Sequence, residues 1–211
     1  HFGVARINGQ NVVHVEEKPN EPQSNLALVG VYLFSPAIHQ AVQVISPSPR
    51  GELEITDAIQ QLIAEGKNVA YHLFSGWWKD TGTVTDLLAT NQYLLKKLTS
   101  AVDGEVKKST VKGVLRVAKG STLKNCRVKG PVTIGAGCRI SGATLGPYVA
   151  IGDGAEIVDS NISHSLVFTD AHVKGVTFTN SIIGERVRIS GQQKTAPVRS
   201  LLVGADAILE L

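Results

Sequence analysis

The sequence predicts an α/β segment over residues 1–100 followed by a parallel β-helix over residues 101–211. Three observations predict it. Short aliphatic strand runs are interleaved with amphipathic helical stripes up to Leu98, whereas from Val111 onward one short pattern recurs six times. The composition, 43% apolar but only 5% aromatic over 211 residues, describes a chain able to bury a core whose filling is aliphatic. The longest apolar runs, residues 26–34 and 71–78, fall well short of the roughly 18 residues of a membrane span. A formal charge of +3 gives no electrostatic case for nucleic acid or a membrane as the main partner. Cys126 and Cys138, with no CxxC pair, exclude a disulfide framework and a structural zinc site, so a reducing, cytoplasmic setting is expected. The chain opens His1-Phe2-Gly3-Val4 and contains no Met, so it is expected to be a piece of a longer polypeptide.

In chain order, Val12-Val13-His14-Val15 and residues 26–34 are β-branched or aliphatic runs bounded by Gly, Asn and Pro, the pattern of strands. Residues 55–64 place Ile55, Ala58, Ile59, Leu62 and Ile63 on one helical face, which stops at Gly66. Residues 85–98 repeat the pattern with Leu87, Leu88, Asn91, Leu94, Leu95 and Leu98. Three or four strands and three helices are few for a complete sheet-and-helix domain, so the remainder is expected upstream.

The six repeating segments begin at Val117, Ile134, Ile151, Val167, Ile183 and Val203, in steps of 17, 17, 16, 16 and 20 residues. Each opens on an aliphatic residue, carries a mostly small residue at the fifth position (Ser121, Cys138, Ala155, Ala171, Val187, Ala207) and returns to an aliphatic residue two later. In a coil of three short flat strands, aliphatic side chains from each side fill a narrow triangular interior. Stacked coils lie about 4.8 Å apart, so Val117, Ile134, Ile151, Val167 and Ile183 are expected to form one internal ladder. Cys126 and Cys138 read as small interior residues of adjacent coils. The pattern resembles the hexapeptide-repeat family, which implies a left-handed β-helix.

Three motifs in the first half carry polar chemistry. Glu16-Glu17-Lys18-Pro19 closes a strand with a carboxylate and an ammonium. Ser48-Pro49-Arg50-Gly51-Glu52-Leu53-Glu54-Ile55-Thr56-Asp57 brings an Arg and acids to a helix start, where Glu54 or Thr56 is able to act simply as a cap. Gly76-Trp77-Trp78-Lys79-Asp80-Thr81-Gly82-Thr83 sets aromatics beside an Asp and a turn. Each also has an ordinary structural reading. Their order and spacing, with Ser24 to Tyr32 and Leu87-Leu88-Ala89-Thr90-Asn91, resemble the sugar nucleotidyltransferases, in particular the long-form glucose-1-phosphate thymidylyltransferases that join an α/β catalytic domain to a C-terminal β-helix.

That resemblance implies roles by position. Glu17 would hold sugar hydroxyls and Lys18 the sugar phosphate; Gly30 would admit the sugar to the backbone, with Tyr32 lining the pocket. Arg50 would fork onto phosphate oxygens, Asp80 would be one of two aspartates on Mg²⁺, and Trp77 or Trp78 would wall the site. The implied reaction joins glucose-1-phosphate, or a related sugar-1-phosphate, to dTTP or another NTP, giving a nucleotide-sugar and pyrophosphate. The glycine-rich nucleotide loop and the first metal-binding Asp of that family have no match here, so the piece alone is expected to be inactive. Two other readings exist for the β-helix: acyl transfer with His164 or His172 as base, or an assembly or regulatory module that makes the protein a homo-oligomer. The cations Lys107, Lys108, Lys112, Arg116, Lys119, Lys124, Arg127 and Lys129 read as a solvated face.

Overall fold

The structure, a computed structural model, describes residues 2–191 and 200–211; His1, and residues 192–199 within the longest repeat step, lie outside the described residues. The chain divides into two compact units, one up to Gly76 and one from Trp77 onward. In the first unit, strands β1 (Val4–Asn8) and β2 (Asn11–Glu16) form an antiparallel hairpin. Gly9, with φ of 59°, takes the left-handed conformation that this tight turn requires. Ala5, Val12 and Val15 pack against Ile59 of helix α2 (Ile55–Ala64). Helix α1 (Ala37–Val44) meets α2 through Ala41 and Ala58, both fully buried, whose small side chains let the two helices approach closely. Helix α2 ends as expected at Gly66, whose φ of 74° and N–H bond to the Ile63 carbonyl close the last turn.

The run 26–34 departs from its strand expectation. Ala5 N–H donates to the Leu26 carbonyl at 2.9 Å and Leu28 N–H to the Gly3 carbonyl at 2.8 Å, so only its start runs along β1. Beyond it, Val31 and Leu33 are 87% and 98% exposed and belong to no described strand. An apolar run becomes a strand only where a partner edge accepts its ladder.

The second unit opens with helix α3 (Val84–Lys96), capped at its start where Asp86 N–H donates to Thr83 Oγ1 at 3.1 Å. The β-helix follows. Among the described residues, one parallel sheet carries seven strands, from Ala101–Val102 to Leu202–Val203; a second carries seven, from Glu105–Lys107 to Ile208–Glu210; the third carries five, from Thr110–Lys112 to Thr177–Thr179. The expected ladder is present: Val117, Ile134, Ile151, Val167, Ile183 and Val203 pair in register from coil to coil. The other two inner columns are Leu123, Ile140, Ile157, Val173, Ile189 and Leu209, and Val128, Leu145, Ile162 and Phe178, with Val111 in register before Val128 but exposed. This parallel β-helix is consistent with the left-handed form that the repeat implies.

Serines at the corners explain why small residues recur there. Ser121 Oγ accepts from Cys138 N–H in the next coil at 2.9 Å and donates to the Gly135 carbonyl at 2.6 Å. Ser109, Ser160, Ser165 and Ser181 each likewise accept the backbone N–H of a residue one coil on. These hydroxyls satisfy buried donors that no strand ladder reaches. Ser121→Ala, leaving the buried Cys138 N–H unpaired, should cost about 1–3 kcal/mol in urea unfolding, and an unchanged midpoint would remove the corner bond from the stability of the coil. Cys126 and Cys138 sit at such corners, fully buried, with burial pushing both thiols up.

Candidate functional site: a charged cluster at the start of α2

The turn after β2 holds Glu17 and Lys18. Lys18 adopts a φ of 44° immediately before Pro19, a left-handed backbone that a non-glycine residue adopts at a cost and that aims its side chain differently from a continuing strand. Its ammonium lies 3.7 Å from Glu17 Oε1. Arg50, 32 residues beyond Lys18 in sequence, reaches the same oxygen: its Nη2 is 3.7 Å from Glu17 Oε1. Folding therefore gathers three of the expected residues, Glu17, Lys18 and Arg50, around one carboxylate.

Arg50 is carried by a tight turn. Gly51 N–H donates to the Ser48 carbonyl and Ser48 N–H to the Glu52 carbonyl, both at 2.8 Å, and Gly51 supplies a φ of 77°. The guanidinium is then fixed from one side, with Nη2 at 2.6 Å from Glu54 Oε1 and 3.1 Å from Glu52 Oε2. Those bonds raise Arg50's already high pKa, and the same hydrogen bond from Arg50, joined by one from Ser48, holds the Glu54 carboxyl below its usual range. Asp57 moves the opposite way, pushed up first by burial and then by the charges of Glu54 and Glu17. Among the described residues Nη2 alone of the guanidinium nitrogens donates a hydrogen bond, so Nε and Nη1 stay available to a ligand.

The remaining expected residues are spread more widely. Tyr32 stacks on Phe34, ring centroids 5.9 Å apart, and its phenol is pushed up by burial and, secondarily, by the Glu17 carboxylate. A Cβ on Gly30 would meet no atom within 4 Å, so that backbone stands in open space. Trp77, Trp78 and Asp80 belong to the second unit, where Trp77 stacks on Tyr93 at 4.0 Å. Among the described residues Asp80 has no hydrogen-bond or ion-pair partner; the adjacent Lys79 pairs instead with Asp86 at 2.6 Å. A free hard carboxylate fits one ligand position of Mg²⁺. No group of three or more His, Cys, Asp or Glu suited to a metal occurs among the described residues, so substrate phosphates and water would supply the rest of the shell.

Sequence reasoning missed three contributors. Thr56 Oγ1 donates to Glu17 Oε2 at 3.0 Å, Ser48 Oγ donates to Glu54 Oε1 at 2.8 Å, and Gly3 has no room for a side chain beside Glu17 and Thr56. The expectation that Glu54 or Thr56 caps α2 is not met: Glu54 occupies the cap position but makes no side-chain cap bond. In the β-helix, His172 Nδ1 lies 3.3 Å from Glu156 Oε2, and the His164 ring lies 5.4 Å from that of Tyr148. The basic stretch is an outer surface, with Lys107 beside Lys124 and Lys112 beside Lys129 in neighbouring coils. No helix among the described residues is long and apolar enough to cross a membrane.

A carboxylate flanked by an ammonium and a half-engaged guanidinium suits a ligand that carries both hydroxyls and phosphate. Residues 1–97 match the nucleotidyl transferase family. Over nearly its whole length the chain is similar to two proteins named glucose-1-phosphate thymidylyltransferase. That of Streptomyces griseus is 43% identical over 96% of this chain and 58% of its own length. That of Streptomyces antibioticus is 40% identical over 100% and 60%. A low-salt glycan biosynthesis nucleotidyltransferase, Agl11, of Haloferax volcanii is 46% identical over 57% of this chain and 34% of its own. The chain thus spans about three fifths of the length of the two thymidylyltransferases.

Proposed function

We propose that the chain forms the sugar-binding part of a sugar-1-phosphate nucleotidyltransferase, residues 1–100, joined to a β-helix, residues 101–211. The observation that carries this reading is the convergence of Lys18 and Arg50 on Glu17. In this reading Glu17 accepts from sugar hydroxyls, while Lys18 and the open edge of Arg50 bind and neutralise the sugar phosphate. Gly30 and Tyr32 line the sugar pocket. A phosphate oxygen of the sugar attacks the α-phosphorus of the NTP, and pyrophosphate leaves with the cleaved bond's electrons. Such transfer requires in-line placement and charge neutralisation rather than a covalent enzyme intermediate. Asp80 would hold Mg²⁺, which when bound supplies charge neutralisation at the phosphates.

Similarity to the Streptomyces proteins favours glucose-1-phosphate and dTTP as the substrates, and the work of a biosynthetic enzyme suits the cytoplasm. The β-helix serves assembly into a homo-oligomer, since its parallel sheets present backbone groups at the ends of the stack. Calorimetric titration of glucose-1-phosphate into the chain tests the core of the reading. Lys18→Ala should raise Kd about tenfold or more, the effect of losing a charged hydrogen bond. A chain that does not bind glucose-1-phosphate, or a Lys18→Ala variant that binds it as tightly as the wild type, would refute the assignment.

A further inference from the structure

The first turn of α2 turns two polar side chains away from the helix they begin. Glu54 stands at the cap position in extended conformation, where an oxygen acceptor ordinarily takes an N–H of the first turn. Its carboxylate instead faces the turn before it, accepting from Arg50 Nη2 at 2.6 Å and Ser48 Oγ at 2.8 Å. Thr56, one residue into the helix and 2% exposed, gives its hydroxyl to Glu17 at 3.0 Å. A helix start that forgoes its own side-chain cap, while burying a carboxylate at 8% exposure, breaks a local rule in favour of another constraint. The groups so held, Arg50 and Glu17, are the two that lie 3.7 Å apart at the cluster. Gly3 completes the mount: a Cβ there would stand 2.7 Å from Thr56 Cγ2 and 3.1 Å from Glu17 Oε2.

We infer that Glu54 and Thr56 are positioning residues, Glu54 setting the Arg50 guanidinium for the phosphate and Thr56 setting the Glu17 carboxylate for the sugar hydroxyls. This inference rests on the sugar-phosphate reading of the cluster. Helix α2 is tied to the hairpin through Ile59 and to α1 through Ala58, so both functional groups hang from one rigid element. Glu52 is a poor substitute for Glu54, because its side chain is 63% exposed and its ion pair is screened by water.

The two roles predict different ligand dependences, read by titrating glucose-1-phosphate and inorganic phosphate separately into the chain. Glu54→Gln should weaken both ligands about tenfold, because it acts on the phosphate side. Thr56→Val should weaken glucose-1-phosphate several-fold and leave inorganic phosphate unchanged, with Thr56→Ser restoring the wild-type value. Side-chain ¹⁵N relaxation at Arg50 Nε gives a ligand-free readout: Glu54→Gln should increase its mobility while the circular dichroism stays that of the wild type. Wild-type affinity for both ligands in Glu54→Gln, or an Arg50 Nε as ordered as before, would overturn the role of Glu54. Equal weakening of the two ligands by Thr56→Val would overturn that of Thr56. If the wild type binds neither ligand, the sugar-phosphate reading fails, and the Arg50 relaxation still decides whether Glu54 orders the guanidinium.

Discussion

Ile157→Ala is expected to destabilise the β-helix by about 2–5 kcal/mol, the range for large-to-small changes in packed cores. Ile157 is fully buried and stacks in register between Ile140 and Val173. The coils above and below are pinned by parallel ladders, so the backbone is unable to close over the missing methyl groups, and the cavity persists. Ile208 provides the internal control. It lies on the outer face of its strand at 75% exposure, and Ile208→Ala should stay within about 0.5 kcal/mol. Urea unfolding of both variants measures the contrast, and a similar shift for the two would contradict the three-column interior.

On the proposed reading, Asp80→Asn should lower Mg²⁺-dependent nucleotidyl transfer by about a hundredfold or more, the scale of losing one stabilising group at a developing charge. The fold should not notice. Asp80 forms no hydrogen bond or ion pair among the described residues, so the thermal midpoint of the variant is expected to match the wild type. The measurement is turnover across a Mg²⁺ series with unfolding followed in parallel. Normal turnover at every Mg²⁺ concentration would remove Asp80 from the metal's ligands.

The β-helix was legible because its information is local and repeated. A step of 16 or 17 residues returns Val117, Ile134 and Ile151 to the same angular position, so spacing and register are one fact. The opening coil was harder to see. It begins at Ala101, inside the span expected for the β-helix, yet Asp103-Gly104-Glu105 lacks the hexapeptide pattern, and its register is given by the pairing of Val102 with Val117 and of Val106 with Leu123. Residues 26–34 show the converse. Their apolar run has strand composition, yet pairing depends on which edge lies beside it, and β1 takes up only the first few residues.

Glu17, Lys18 and Arg50 were recognisable as motifs, but their meeting was not. Nothing in the spacing says that residues 17 and 50 lie within 4 Å, nor that Glu54 turns from its helix toward Arg50. The sequence by itself determined the periodic interior of the β-helix and the kinds of charge its first-half motifs carry, because side-chain period and residue chemistry are properties of the chain. Only the tertiary structure decided which of those charges face one another, because that follows from how the hairpin and two helices pack, and packing is set by contacts between residues far apart in sequence.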